Sequence, residues 1–215
     1  HTLERAYTRL DTDAPFRLLA DTVGGGRDDA RLGELVLSLY DKMQCHARPE
    51  QWAQRQVDLL ALDGVTDAGA TPWGQALLAR VRESAVHWAG VLDKQLDIMA
   101  AQDMAWLYGI YGTSFAETAD GLRAVVRACD QSWDAAVAAL QNVPFPRLGS
   151  TRKPPDPDVR DRVKAQRDAA KKAIQALQKQ INVPSAQALA DLHTTAPAMQ
   201  ALLALTLDFG AAYAA

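Results

Sequence analysis

The sequence predicts an all-α protein, an irregular multi-helix domain of about eight helices, on three observations. Apolar residues recur at three- and four-residue steps along most of the 215 residues. No stretch alternates apolar and polar residues with the period of a strand. The breaks between periodic runs fall at glycine, proline, serine, threonine and aspartate in helix-capping positions. Residues 1–215 read as a single helical domain, with a basic loop and helix at 147–182 inside it.

Taken in order, residues 3–10 form a short helix end that leads into a turn at Thr12-Asp13. Phe16, Leu18 and Leu19 mark the next helix, which breaks at Gly24, Gly25 and Gly26. A further helix restarts after Asp28 and Asp29, aspartates that suit a helix start, with Leu32, Leu35, Val36, Leu39 and Met43 at helical spacing. Pro49 begins a third helix with Trp52 in its first turn and Val57, Leu59, Leu60 and Leu62 inward. DGVTDAGA (63–70) is loop. Thr71-Pro72 caps the longest helix, on which Trp73, Leu77, Val81, Ala85, Trp88, Leu92, Leu96 and Met99 recur for about seven turns. AWLYGIYGTS (105–114) mixes aromatics with glycines and has no clear period. Ser114 with Glu117 matches a capping box opening the helix of Leu122, Val125, Val126 and Cys129. Ser132 caps the next helix, and NVPFPRLGSTRKPPDPD (142–158), with five prolines, is loop. Asp156-Pro157 starts a helix reaching about Asn182. Pro184-Ser185 begins a short helix, and Thr195-Ala196-Pro197 a last one.

Composition narrows the classes of function. The chain is 48% hydrophobic and 23% charged, as in ordinary globular proteins, and no apolar run approaches the ~20 residues that span a bilayer. Cys45 and Cys129 lie far apart with no paired partner, so neither a disulfide framework nor a thiolate zinc site is suggested. A cytoplasmic setting without membrane contact is expected. No GxxxxGK[ST] loop cradles nucleotide phosphates, and no acidic cluster suits a catalytic magnesium. No catalytic residue, metal ligand or cofactor is therefore assigned to this stretch. Glu83 and His87 stand one turn apart without a second ligand pair, and adjacent Cys45 and His46 point to different sides of a helix.

The net charge of −3 conceals an uneven distribution. Between Arg147 and Lys179 there are ten basic residues against four aspartates, while the remainder carries thirteen basic and twenty-two acidic residues. On the helix from Pro157, Val159, Val163, Ala170, Ile174, Leu177 and Ile181 fall within about 60° of one another at 100° per residue. Arg160, Lys164, Arg167 and Lys171 occupy a second band of about 60° beside it. Cations one turn apart suit nucleic-acid phosphates, and Arg152 and Lys153 in the preceding loop, with Lys172, extend their reach. A solvated charged face is the other reading, and Asp161 and Asp168 dilute the charge. The sequence leaves open whether this helix packs on the body or projects as an arm. Trp106, Tyr108 and Tyr111 are flat rings of the kind that stack on unpaired bases, but no cation flanks them in sequence, so they are expected to pack.

Several segments carry a resemblance. FRLLADTVGGGRDDARLGELVLSLYDK followed by PEQW (16–52) resembles the AddA subunits of bacterial AddAB helicase-nucleases, which share its Phe-x-x-Leu helix, its glycine loop with Arg-x-Asp, its Leu-Tyr helix and its Pro-x-x-Trp start. TPWGQALL (71–78), SWDAAVAALQNVPFPRL (132–148), DPDVRDRVKAQRDAAKK (156–172) and LTLDFGAAY (205–213) resemble further segments of the same family. The match is poorest at 100–113. Ala47-Arg48 replaces the family's common Pro-Asp, and Ala53 a common leucine.

The resemblance implies that the chain is the helical, 1B-type insertion of a superfamily 1 helicase. The larger protein would use ATP and magnesium and act in double-strand break repair and recombination with its AddB partner, in the bacterial cytoplasm. The implied role is to hold DNA, duplex or fork, by sequence-independent phosphate contacts while motor domains outside this chain unwind it. The expected contacts are Arg152, Lys153, Arg160, Lys164, Arg167, Lys171 and Lys172. The alternative is a structural or protein-interaction domain docking on AddB or on neighbouring AddA domains.

Overall fold

A computed structural model describes residues 1–23, 30–150 and 154–214. The glycine loop Gly24–Gly26 with Asp28 and Asp29, and the cations Arg152 and Lys153, lie outside the described residues. Among the described residues there are nine α-helices and no strand, in agreement with the all-α reading. They group into two compact units, one of residues His1–Val65 and Ala188–Ala215, the other of Thr66–Gln187.

The first unit contains α1 (Thr2–Tyr7), α2 (Ala14–Val23), α3 (Ala30–Gln44), α4 (Pro49–Asp58) and most of α9 (Ser185–Tyr213). Asp13 starts α2 by accepting the Phe16 N–H at 3.0 Å, which satisfies one of the donors a helix start leaves unpaired. One apolar cluster gathers Ala6, Phe16, Leu19, Leu32, Val36 and Leu205, and Tyr7 meets the Phe16 ring edge-on at 5.3 Å. A second cluster gathers Met43, Ala53 and Leu203 with Trp52, whose ring stacks on His46. Of the residues that sequence period sends inward, Phe16, Leu19, Leu32, Val36, Met43 and Leu62 are buried, whereas Leu18 and Leu35 are exposed on their helices and Leu59 is exposed just past the end of α4.

The second unit holds α5 (Pro72–Ala100), α6 (Ala105–Cys129), α7 (Trp133–Gln141) and α8 (Pro157–Gln180). α5 and α6 make its most extensive helix pair, through Val81, Ala85, Leu92 and Met99 on one side and Leu107, Phe115, Leu122 and Val125 on the other, all buried. The caps expected at Thr71, Ser132 and Asp156 are present, accepting from the N–H groups of Gly74, Ala135 and Val159. α8 packs against α5 and α7 with its whole apolar stripe buried, so it is not a projecting arm.

Two boundaries differ from the sequence reading. α6 begins at Ala105 and runs through the 105–114 stretch, with Ser114 buried in mid-helix rather than at a cap. Its hydroxyl donates sideways to the Pro146 carbonyl at 3.1 Å. α9 is continuous, with Pro197 inside it, where two helices were expected. The Thr195 hydroxyl donates to Asp191 O one turn back at 2.9 Å, so it serves the helix interior instead of capping a new start.

Asp67 organises one end of the second unit. Its carboxylate accepts from the N–H of Gly69 at 2.9 Å and of Trp133 at 3.3 Å, and Ser185 Oγ donates to it at 3.5 Å. That hydroxyl also accepts the Ala68 N–H at 2.7 Å, Asp134 accepts the Ser185 N–H at 2.7 Å, and the Trp133 indole donates to Val183 O at 2.9 Å. The starts of α7 and α9 are thereby tied to the 3-10 turn at Ala68–Ala70. Asp67→Ala leaves at least two N–H groups without their acceptor and is expected to cost about 1–3 kcal/mol in urea unfolding; a loss below about 0.5 kcal/mol would contradict this role.

Candidate nucleic-acid interface

α8 carries the expected cations, and their exposure follows their angle from the apolar stripe. Val159, Val163, Ala170, Ile174, Leu177 and, just past the helix end, Ile181 are all buried. Arg167 lies about 20° from the edge of that stripe at 100° per residue and is only 5% exposed. Arg160 and Lys171, farther round, are half-buried; Lys164 and Lys172 are exposed. The ladder of four is thus not uniform. Its inner member faces the protein.

Arg167 is engaged inside the protein. Its Nη2 donates to the Pro146 carbonyl, and its guanidinium lies 5.6 Å from the centre of the Phe145 ring. Burial pulls its pKa down, an effect that Asp168 opposes. Its Nε is buried without a hydrogen-bond partner among the described residues. Arg160 is held by its neighbour Asp161, with Nε and Nη2 each 2.9 Å from the same carboxylate oxygen; that contact raises the Arg160 pKa and lowers that of Asp161. Lys164, Lys171 and Lys172 enter no salt bridge among the described residues.

Pro146 belongs to a strap that runs antiparallel along α6. Prolines have no N–H to offer a ladder, but their carbonyls still need donors when buried. Thr118 Oγ1 donates to Pro144 O at 2.8 Å, and Ser114, one turn earlier on α6, shares Pro146 O with Arg167. Two glycines permit the close approach. A Cβ on Gly121 would sit 2.4 Å from Pro144 Cδ, and one on Gly149 would sit 2.6 Å from Ile110 Cγ2. Between the anchors at Pro146 and Gly149, Arg147 is exposed and free of ion pairs among the described residues. The sequence signals for this strap, paired prolines opposite Ser114 and Thr118, lie some thirty residues apart and become meaningful only when folded together.

Several cations elsewhere in this unit are neutralised locally. Arg123 bridges Asp93 at 2.5 Å and Asp120 at 2.6 Å, and Arg82 pairs with Asp130. Of the aromatic trio, Tyr111 is buried, its ring parallel to that of Phe115 at 6.1 Å, and burial raises its pKa with a smaller opposing effect of Arg160. Tyr108 is 47% exposed. No helix among the described residues is long and apolar enough to cross a membrane, and no three His, Cys, Asp or Glu side chains among them converge as metal ligands.

The two thiols provide a check on burial. Cys45 is exposed, whereas Cys129 is half-buried, with its pKa raised by burial and by Asp130 against a smaller effect of Arg82. Iodoacetamide at neutral pH is expected to label Cys45 at least several-fold faster by mass spectrometry, since the thiolate is the reactive form. Equal rates would contradict this environment for Cys129.

No protein-family model matches the chain. Curated AddA proteins, named as subunits of an ATP-dependent helicase/nuclease, do match it. The protein from Ruminiclostridium cellulolyticum is 28% identical over 214 residues, covering 98% of this chain and 17% of its own length. That from Acetivibrio thermocellus is 29% identical over 213 residues with the same coverage, and that from Geobacillus thermodenitrificans 28% identical over 216 residues, covering 99% and 17%. The chain thus spans about a sixth of the length of these relatives. The likeness read from separate motifs therefore extends over nearly the whole chain, strap and basic helix included: it is similar to one segment of the AddA proteins of ATP-dependent helicase/nucleases.

Proposed function

We propose that the chain is a DNA-contacting accessory segment of an ATP-dependent helicase/nuclease, holding duplex or forked DNA by phosphate contacts while motor elements outside it do the unwinding. What carries this reading is the similarity over 98% of the chain to proteins named for helicase and nuclease activity, taken with three lysines on one helix that enter no salt bridge among the described residues. In this reading Lys164, Lys171 and Lys172 grip the backbone, Arg152 and Lys153 add reach from the loop, and the larger protein supplies ATP and magnesium chemistry. Arg160 contributes less because Asp161 already holds it. Arg167 acts inside the protein. The same reading puts the larger protein in the bacterial cytoplasm, with an AddB partner, in double-strand break repair.

Lysines act as point charges and carry no base readout, so binding is expected to be independent of sequence and steeply dependent on salt. In the full-length helicase/nuclease complex, charge reversal of Lys164, Lys171 and Lys172 together is expected to flatten the slope of log affinity against log salt on a forked duplex by about 2.7, near 0.9 per phosphate contact. Unchanged affinity and slope in fluorescence anisotropy would remove this reading.

A second reading is favoured by Asp161 and Asp168, both exposed and interspersed with the lysines, because a mixed-sign face also suits a protein partner. It makes the domain a docking module for AddB or for neighbouring AddA domains. Crosslinking from Lys164 or Lys171 separates the two. Protein adducts that persist in saturating DNA support docking, and adducts that DNA suppresses support the phosphate grip.

A further inference from the structure

Resting on that reading, we propose that Arg147 is a further phosphate-contacting residue, and that Arg167 is the positioning residue that sets it beside the lysines of α8. Arg147 follows Pro146 directly, so its backbone nitrogen is bonded to the carbonyl carbon whose oxygen accepts from Arg167 Nη2. Lys164 and Lys171 stand one helical turn before and after Arg167, on its solvent side. An arginine side chain leaving the strap at this point starts one residue beyond the carbonyl that α8 holds through Arg167. It is exposed, it enters no ion pair among the described residues, and its backbone is fixed from both sides. Pro146 is held by Ser114 and Arg167, and Gly149 is seated on Ile110.

The setting of Arg167 explains why an arginine is needed there. A planar guanidinium lies by the Phe145 ring while its edge donates to the Pro146 carbonyl; a lysine ammonium has no flat face to stack and no fixed fork of donors. Its burial beside the stripe gives it a fixed geometry, whereas a surface cation would sample many rotamers. The charge has no carboxylate partner within ion-pair distance among the described residues. Arg147 and Arg167 thus place two cations on the strap, which favours an anion there against the opposing charge of Asp168.

The experiment uses the full-length helicase/nuclease containing this chain, with anisotropy on a forked duplex across a salt series. Arg147→Ala, at an exposed position, is expected to flatten the log–log salt slope by about 0.9 and to leave the melting temperature unchanged. Arg167→Met is expected to flatten it by a similar amount, and the double variant no further, because both remove the same contact. If Arg167→Met does not fold, Arg167→Lys replaces it and is expected to flatten the slope in the same non-additive way. Lys164→Ala serves as the reference for the underlying reading. A slope unchanged by Arg147→Ala but flattened by Lys164→Ala overturns the assignment of Arg147 and leaves the lysine grip standing. Additive effects of Arg147 and Arg167 overturn the positioning role, and no change in any variant removes the lysine grip as well.

Discussion

The second unit depends on satisfying the carbonyls of a strap that has too few N–H groups of its own. Pro144 and Pro146 remove two donors from a three-residue run, so no helix or strand can take up that run. The donors come from elsewhere: Thr118 and Ser114 from α6, Arg167 from α8. Thr118 Oγ1 lies 2.8 Å from both the Ser114 and the Pro144 carbonyl oxygens and shares its one proton between them, and a net gain of about 1 kcal/mol per bond is typical. A carbonyl left unpaired away from water would cost more than the bond gains, and at these two part-buried oxygens a hydroxyl or a guanidinium supplies the donor. Gly121 and Gly149 then follow as close-approach positions along the same path.

That constraint divides the cations of α8 into two kinds. Arg167, on the margin of the apolar stripe, is drawn inward to the strap, and Lys164 and Lys172, farther round the helix, stay in water. Arginine suits the inner position because its guanidinium is planar, weakly hydrated and charged under all conditions. Lysine suits the outer ones because a flexible ammonium keeps its hydration until an anion replaces it. The Arg82–Asp130 pair and the Arg123 pairs with Asp93 and Asp120 settle further cations within the unit. The overall charge of −3 thus says little about the local potential at α8 and its strap, which governs encounter with an anionic polymer.

The similarity to AddA proteins and the geometry of α8 bear on function through different routes. The first rests on a match over nearly the full chain that covers a sixth of the relatives' length, so it speaks to parentage. The second rests on charge and exposure at named side chains. Among the described residues no three His, Cys, Asp or Glu side chains converge as metal ligands.

By itself the sequence determined the all-α class, the caps at Thr71, Ser132 and Asp156, and the apolar stripe of α8, because these depend on neighbours within a turn or two. It misplaced the start of α6 and divided α9, because Ser114 and Thr195 are residues whose hydroxyls can either cap a helix or bond elsewhere. Local pattern does not distinguish these uses. The partner does, and for Ser114 that partner is thirty-two residues away. The cation ladder was legible as a pattern of angles, but its split into an inward Arg167, a paired Arg160 and outward lysines was not. Tertiary structure decided that split, since a guanidinium beside an apolar stripe turns inward only when the fold brings it a carbonyl and an aromatic ring, here those of Pro146 and Phe145.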